Sequence, residues 1–226
     1  VSWKEKCLSG LGGAVAIALV IFISERVLHL SGAAMLIASM GASAVLLFAV
    51  PHGALSQPWP VVGGHALSAV VGVFFAKSIG NPVAAGALAV GAAIFLMHQL
   101  KCIHPPGGAT ALTAVIGGSA VHDLGYSFVW CPVLWNAAAM VAVAVLFNVF
   151  FPWRRYPAFW NRQDPPRAGE QEVTHEEVVA ALESFDSFVD IREDDLIRLH
   201  HLLSRRVSGK VLEEAAATPA LRKIGN

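Results

Sequence analysis

The chain has 226 residues, 55% of them hydrophobic, and its 16 basic and 16 acidic residues cancel to a formal net charge of zero. Up to Trp153 the acidic residues are Glu5, Glu25 and Asp123 and the basic ones Lys4, Lys6, Arg26, Lys77 and Lys101; every other charge lies in the last third. This segregation excludes an ordinary soluble domain, whose surface charge is spread along the chain, and leaves a polytopic membrane protein with a soluble tail.

Six apolar segments follow in order. The first, about Cys7 to Val27, is rich in Gly, Ala and β-branched residues, and Gly10, Gly12 and Gly13 permit close helix contact. The second, about Ser31 to Val50, is broken near its middle by Ser39-Met40-Gly41-Ala42-Ser43-Ala44 and stopped by Pro51. Gln57-Pro58-Trp59-Pro60 reads as a stiff, partly extended connection with Trp59 as an interfacial anchor. The third, Val61 to Ala76, carries Gly63, Gly64, His65 and Ser68 at its start, and Gly80-Asn81-Pro82 is a turn signal. Val83 to Gln99 forms the fourth. The fifth is short, Thr110 to Val121, and His122-Asp123-Leu124-Gly125 is a loop. The sixth, Ser127 to Phe151, contains Cys131-Pro132, Asn136 and Asn148.

Trp153-Arg154-Arg155-Tyr156-Pro157 reads as an interfacial stop. Residues 1–157 are thus the transmembrane domain, 158–172 a linker, and 173–226 a cytosolic helical tail. In the tail, Thr174-His175-Glu176-Glu177 is a capping box opening one amphipathic helix, and Asp190-Ile191-Arg192-Glu193 opens a second. Cys7, Cys102 and Cys131 have no CxxC spacing, so they build neither a disulfide framework nor a zinc site, and buried packing is expected of them. The chain begins at Val1 rather than Met, which suggests trimming and leaves room for an upstream targeting segment.

The fold expected is all-α: a helix bundle of six segments arranged as a 3+3 inverted repeat, with short Gly/Pro-broken helices in matching places. Gly41-Ala42-Ser43-Ala44-Val45 matches Gly108-Ala109-Thr110-Ala111-Leu112, and each half reads span, short span, Pro-opened span. Such repeats point to a transporter site near the membrane midplane. Common helix-packing composition explains the same match more blandly. A four-helix version, with two short runs re-entrant, also fits. With six spans, Lys4, Lys6, Lys101, Arg154 and Arg155 share one face, which the positive-inside bias makes cytoplasmic, with both termini there.

The central stretch is His104-Pro105-Pro106-Gly107-Gly108-Ala109-Thr110-Ala111-Leu112. Two prolines cannot lie inside a helix but fit its first turn, and the two glycines leave the backbone bare for a small ligand. These residues resemble the signature of the HPP family of integral membrane proteins, and Gly41 to Phe48, Gln57-Pro58 and Gly63-Gly64-His65 are similar to that family's other recurrent stretches. The resemblance covers about Lys4 to Pro157; Gly107 stands where Ala is as usual. It implies a compact transmembrane bundle, and nitrite transport, with which chloroplast and cyanobacterial members are associated. A bacterial inner (plasma) membrane location follows the same resemblance.

No carboxylate lies in the body of a span, Glu25 marking the far end of the first. The segments offer instead helix N-termini, hydroxyls and histidines, a set suited to a small monovalent anion held without a fixed charge. The expected substrate-binding residues are Gly41, Ser43, His65, His104, Gly107, Gly108 and Thr110. Back-bonding to their own helices is the competing role for Ser43 and Thr110. For His104 a structural bond to a carbonyl ranks first, anion contact or proton coupling second, and a metal last. No catalytic group, metal site or cofactor is expected, so the chain is not read as an enzyme. The expected partners are a small inorganic anion, most readily nitrite, the lipid bilayer and a second copy, a dimer being favoured; no nucleic acid is expected. The alternative is a non-transporting sensor or scaffold acting through its tail.

Overall fold

A computed structural model of the chain describes residues 2–27 and 34–160, together with Leu196. The chain divides into two units, Val1–Asn161 and Arg162–Asn226, and the tail helices expected from the sequence lie outside the described residues, Leu196 apart. All regular structure among the described residues is helical.

Helix α1, Trp3–Phe22, is capped by Ser2, whose hydroxyl accepts from Glu5 N at 3.2 Å, and passes into a π-helical turn, Ile23–Val27. Helix α2 spans Ala34–Ala49 and a 3-10 turn covers Ala54–Ser56. Helix α3, Pro58–Ser78, and α4, Pro82–Gln99, are followed by the 12-residue α5, Pro105–Ile116, and the single turn α6, Ser119–His122. A π-helical stretch, Val129–Leu134, then leads into α7, Trp135–Asn148.

Four of these are long and apolar enough to cross a bilayer: Trp3–Glu25, Pro58–Ser78, Pro82–Gln99 and Val129–Asn148. With 16 and 12 residues, α2 and α5 fall short of the about 20 residues that a full crossing needs.

Local chemistry corrects several expected boundaries. Residues 39–44 do not interrupt α2, because one glycine among good helix formers costs only about 1 kcal/mol and the run continues through it. Pro58-Trp59-Pro60 is not an extended linker but the first turn of α3, where N–H groups would have had no partner anyway. Trp59 remains 58% exposed, and its indole N–H donates to Leu100 O at 3.1 Å. The α4 start is set by Asn81, whose side-chain oxygen accepts from Val83 N and Ala84 N, each at 3.0 Å. Cys7 faces outward on α1, against the expected burial, whereas Cys102 is buried.

Two packing features hold the bundle. The first is a seam of small residues where α3 meets α5. A Cβ on Gly72 would stand 2.5 Å from Ala111 O and 2.7 Å from Ala114 Cβ, one on Gly107 2.8 Å from Ser68 Oγ, and one on Gly64 2.7 Å from His104 Cβ. Gly64, Ser68 and Gly72 recur every four residues, so they form one face of α3 on which the α5 backbone can lie.

The second is Arg154, 1% exposed, which ties the two ends of the domain together. Its guanidinium pairs with Glu5 and also donates to Ser9 Oγ at 3.1 Å, Asn148 Oδ1 at 3.0 Å and Phe48 O at 2.5 Å. Phe48 lies in the last turn of α2, so the charge meets one of that helix's unpaired carbonyls. The expected interfacial stop is therefore in part a buried clasp. Beside it Tyr156, also buried, donates to Ser56 O at 2.9 Å, and burial holds its phenol well above the usual range.

Arg154→Ala should cost about 2–4 kcal/mol: Phe48 O and Asn148 Oδ1 lose a charged donor, while Glu5, 22% exposed, is still reached by water. Gly72→Val, which overpacks the seam, should cost about 1–3 kcal/mol. Gly91→Ala, in the middle of α4 with open space at its Cβ, should instead stabilise by up to about 1 kcal/mol. Thermal unfolding of the three variants in one detergent checks the order.

Candidate functional site

Five polar side chains from α2, α3 and α5 meet in the bundle interior. His65, on α3, Ser43, on α2, His104, at the N-cap of α5, and Thr110, in the second turn of α5, are all 0% exposed, and Ser39 is 1% exposed. Burying this many polar groups is costly unless each finds a partner, and here they are partners to one another.

The distances form a continuous chain. His104 Nδ1 lies 2.9 Å from Leu55 O, and His104 Nε2 lies 2.8 Å from Ser43 Oγ. Ser43 Oγ lies 2.8 Å from His65 Nε2, and His65 Nδ1 lies 2.7 Å from Thr110 Oγ1. Thr110 Oγ1 lies 3.2 Å from Ser39 Oγ. The two rings meet edge to face, their centroids 5.0 Å apart.

One carbonyl orients the whole chain. Leu55 O can only accept, so His104 Nδ1 carries a proton and, in the neutral ring, Nε2 accepts. Ser43 therefore gives its single hydrogen to His104 and must accept from His65 Nε2–H. His65 Nδ1 is then bare and accepts from the Thr110 hydroxyl. The two histidines are held as opposite tautomers without any ionised group.

The expected site residues fall into two groups. Ser43, His65, His104 and Thr110 come together. Ser43 and Thr110, which hold matching places in the two Gly-Ala-[Ser/Thr]-Ala stretches, sit on the two nitrogens of one imidazole. Gly41, Gly107 and Gly108 do not join them. A Cβ on Gly41 would meet nothing within 4 Å, one on Gly108 would meet only Val90 Cγ1 at 3.9 Å, and Gly107 is a seam residue. The bare helix start expected at α5 is also less open than its glycines suggest. Pro105 and Pro106 have no N–H, and Gly107 N is already bonded to His104 O at 2.8 Å.

In this orientation the imidazoles take the hydroxyl hydrogens that back-bonding would use: Ser43 Oγ lies 3.2 Å from Ser39 O and Thr110 Oγ1 3.4 Å from Pro106 O, but each hydroxyl has one hydrogen and gives it to a ring nitrogen. Thr113 donates to Ala109 O at 2.8 Å on its own helix. Asn136 pairs instead with Ser24, its Nδ2 donating at 3.1 Å, which joins α7 to the end of α1. Leu55 O and Arg154 escaped the sequence reading: a backbone carbonyl leaves no side-chain signal, and an arginine beside a tryptophan looks like an interfacial anchor. Among the described residues, no group of three His, Cys, Asp or Glu side chains could hold a metal ion.

A bundle of apolar helices enclosing a neutral polar chain defines an integral membrane protein. The chain belongs to the HPP family, whose transmembrane-region model matches residues 1–157. It is similar to two transmembrane proteins of Dictyostelium discoideum, 43% and 40% identical over 129 residues. The matches cover 55% of this chain, and 45% and 41% of those proteins, so the chain spans less than half their length. No solved structure matches.

The orientation of the chain is directly testable. Nitrogen-15 spectra of histidine-labelled protein should show one buried ring protonated at Nδ1 and another at Nε2. Thr110→Val, which leaves His65 Nδ1 without its donor, should cost about 1–3 kcal/mol of stability and shift the His65 resonances while the fold persists.

Proposed function

We propose that the protein is a membrane transporter or channel for a small monovalent anion, nitrite being the substrate that family resemblance favours, and that the anion engages the Ser43–His65–His104–Thr110 cluster. The observation that carries this reading is the cluster itself: two fully buried histidines, linked through hydroxyls, inside apolar helices that contribute no carboxylate to it. Polar and ionisable groups at such depth are rare in packing and common on substrate paths. Neutral N–H and O–H donors can turn toward an anion and release it again, as a fixed lysine or arginine could not do so readily.

The finer architecture belongs to the same reading. Helices α1–α3 and α4–α7 act as inverted halves whose short members, α2 and α5, carry the cluster toward the midplane. Both termini face the cytoplasm of a bacterial plasma membrane, following the lysine and arginine bias. The working unit is a dimer, for which the open faces at Gly10 and Gly13 on α1 are suited.

In proteoliposomes, the protein should pass nitrite faster than protein-free vesicles do. Thr110→Val should weaken apparent affinity several-fold, as the loss of about 1 kcal/mol implies, and Ser43→Ala, which breaks both histidine links, should do more. Gly108→Ala and the outward-facing Val45→Ala should leave flux unchanged. Absence of flux for nitrite and a panel of small anions would overturn the reading.

A further inference from the structure

We propose that the histidine–hydroxyl chain is also a proton-binding site, and that one proton enters it with each anion, so that the pair moves without net charge. This rests on the transport reading above and names its energetic coupling.

The geometry carries it. Every link from Thr110 to His104 is 2.8 Å or shorter, and each member both gives and takes a hydrogen. A proton delivered to Thr110 Oγ1 releases the hydroxyl hydrogen to His65 Nδ1. His65 then passes its Nε2 proton to Ser43, and Ser43 passes its own to His104 Nε2. One proton has entered and one excess proton now resides on His104, whose two N–H groups face Leu55 O and Ser43 Oγ. No other bond is made or broken.

The polarity of the chain is reversed by that step, and the reversed order is also satisfied. Ser43 now donates to His65 Nε2, His65 Nδ1–H donates to Thr110, and Thr110 can turn to Pro106 O at 3.4 Å or Ser39 Oγ at 3.2 Å. Ser43 has a second acceptor in Ser39 O at 3.2 Å. Carbonyls at the ends therefore serve both loaded and unloaded forms. Leu55 O seals the far end, so the proton is stored and leaves as it came.

The titratable groups around the pair do not compete for this role. His65 and His104 face each other. Cys102, buried in the α4–α5 link, packs against α3 instead, its Cβ 3.2 Å from where a side chain on Gly63 would begin. His52 precedes the 3-10 turn that carries Leu55, Tyr156 donates to Ser56 O, and Arg154 is paired with Glu5. The charge balancing an anion at the cluster is thus one that the cluster itself acquires.

The test uses the full chain in vesicles containing a pH dye, with the membrane potential clamped by potassium and valinomycin and protein-free vesicles subtracted to remove leakage of nitrous acid. Nitrite uptake should acidify the interior by one proton per anion and should keep the same initial rate at zero and inside-negative potential. His104→Gln keeps an N–H for Leu55 O but cannot store a proton, and should lose this coupled uptake; electroneutral one-to-one uptake by that variant would overturn the proposal. Should it fail to fold, the wild-type measurements still decide. Uptake above background that follows the potential and leaves the internal pH unmoved overturns the proton site and leaves the transport reading standing. No uptake above background removes both.

Discussion

Polar groups buried away from water must satisfy one another, and in this bundle they do so through one chain of hydrogen bonds that crosses three helices. Its orientation is set by a single acceptor, Leu55 O, in the 3-10 turn between α2 and α3. Because each link fixes the next, the histidines cannot be exchanged independently for other polar residues. Changing Ser43 affects two rings, and changing Thr110 leaves a bare nitrogen where water has little access.

The chain depends in turn on how closely α3 approaches α5. His65 reaches Thr110 because Gly64, Ser68 and Gly72 let the α5 backbone lie against α3, at distances where an added methyl group would overlap Ala111 O or Ser68 Oγ. Apolar burial alone could not set this register, since lipid tails are as apolar as the helix faces they would replace. Small residues supply the contact, and the polar chain selects one register among the several that a small-residue seam tolerates. The Arg154 clasp then holds the ends of α1, α2 and α7 against the same core.

Much of this was legible in the sequence. The charge-poor first two-thirds pointed to a membrane bundle, and the paired Gly-Ala-[Ser/Thr]-Ala stretches singled out Ser43 and Thr110, which the fold brings to opposite sides of one ring. Long-range identity of contacts was not legible. Nothing in Gly107 or Gly108 distinguishes a glycine that packs from one that faces open space, because both simply lack a side chain. Arg154 was misread for a related reason: tryptophan, arginine and tyrosine at a span end look alike whether they reach lipid headgroups or turn inward to a glutamate 149 positions away. A proline-opened third span was read from Pro60, but Pro58 and Trp59 were assigned to an extended connection, because proline's bias toward extended structure and its fitness for a first helical turn are hard to separate in isolation.

The central claim is that the buried histidine–hydroxyl chain meets the transported anion. The most direct test is to titrate nitrite into histidine-labelled protein in lipid and follow the ring nitrogens of His65 and His104. A saturable shift of both resonances, over the concentration range in which flux saturates, is the result this account predicts. Unchanged rings at saturating nitrite, in a preparation that still carries the anion, would contradict it.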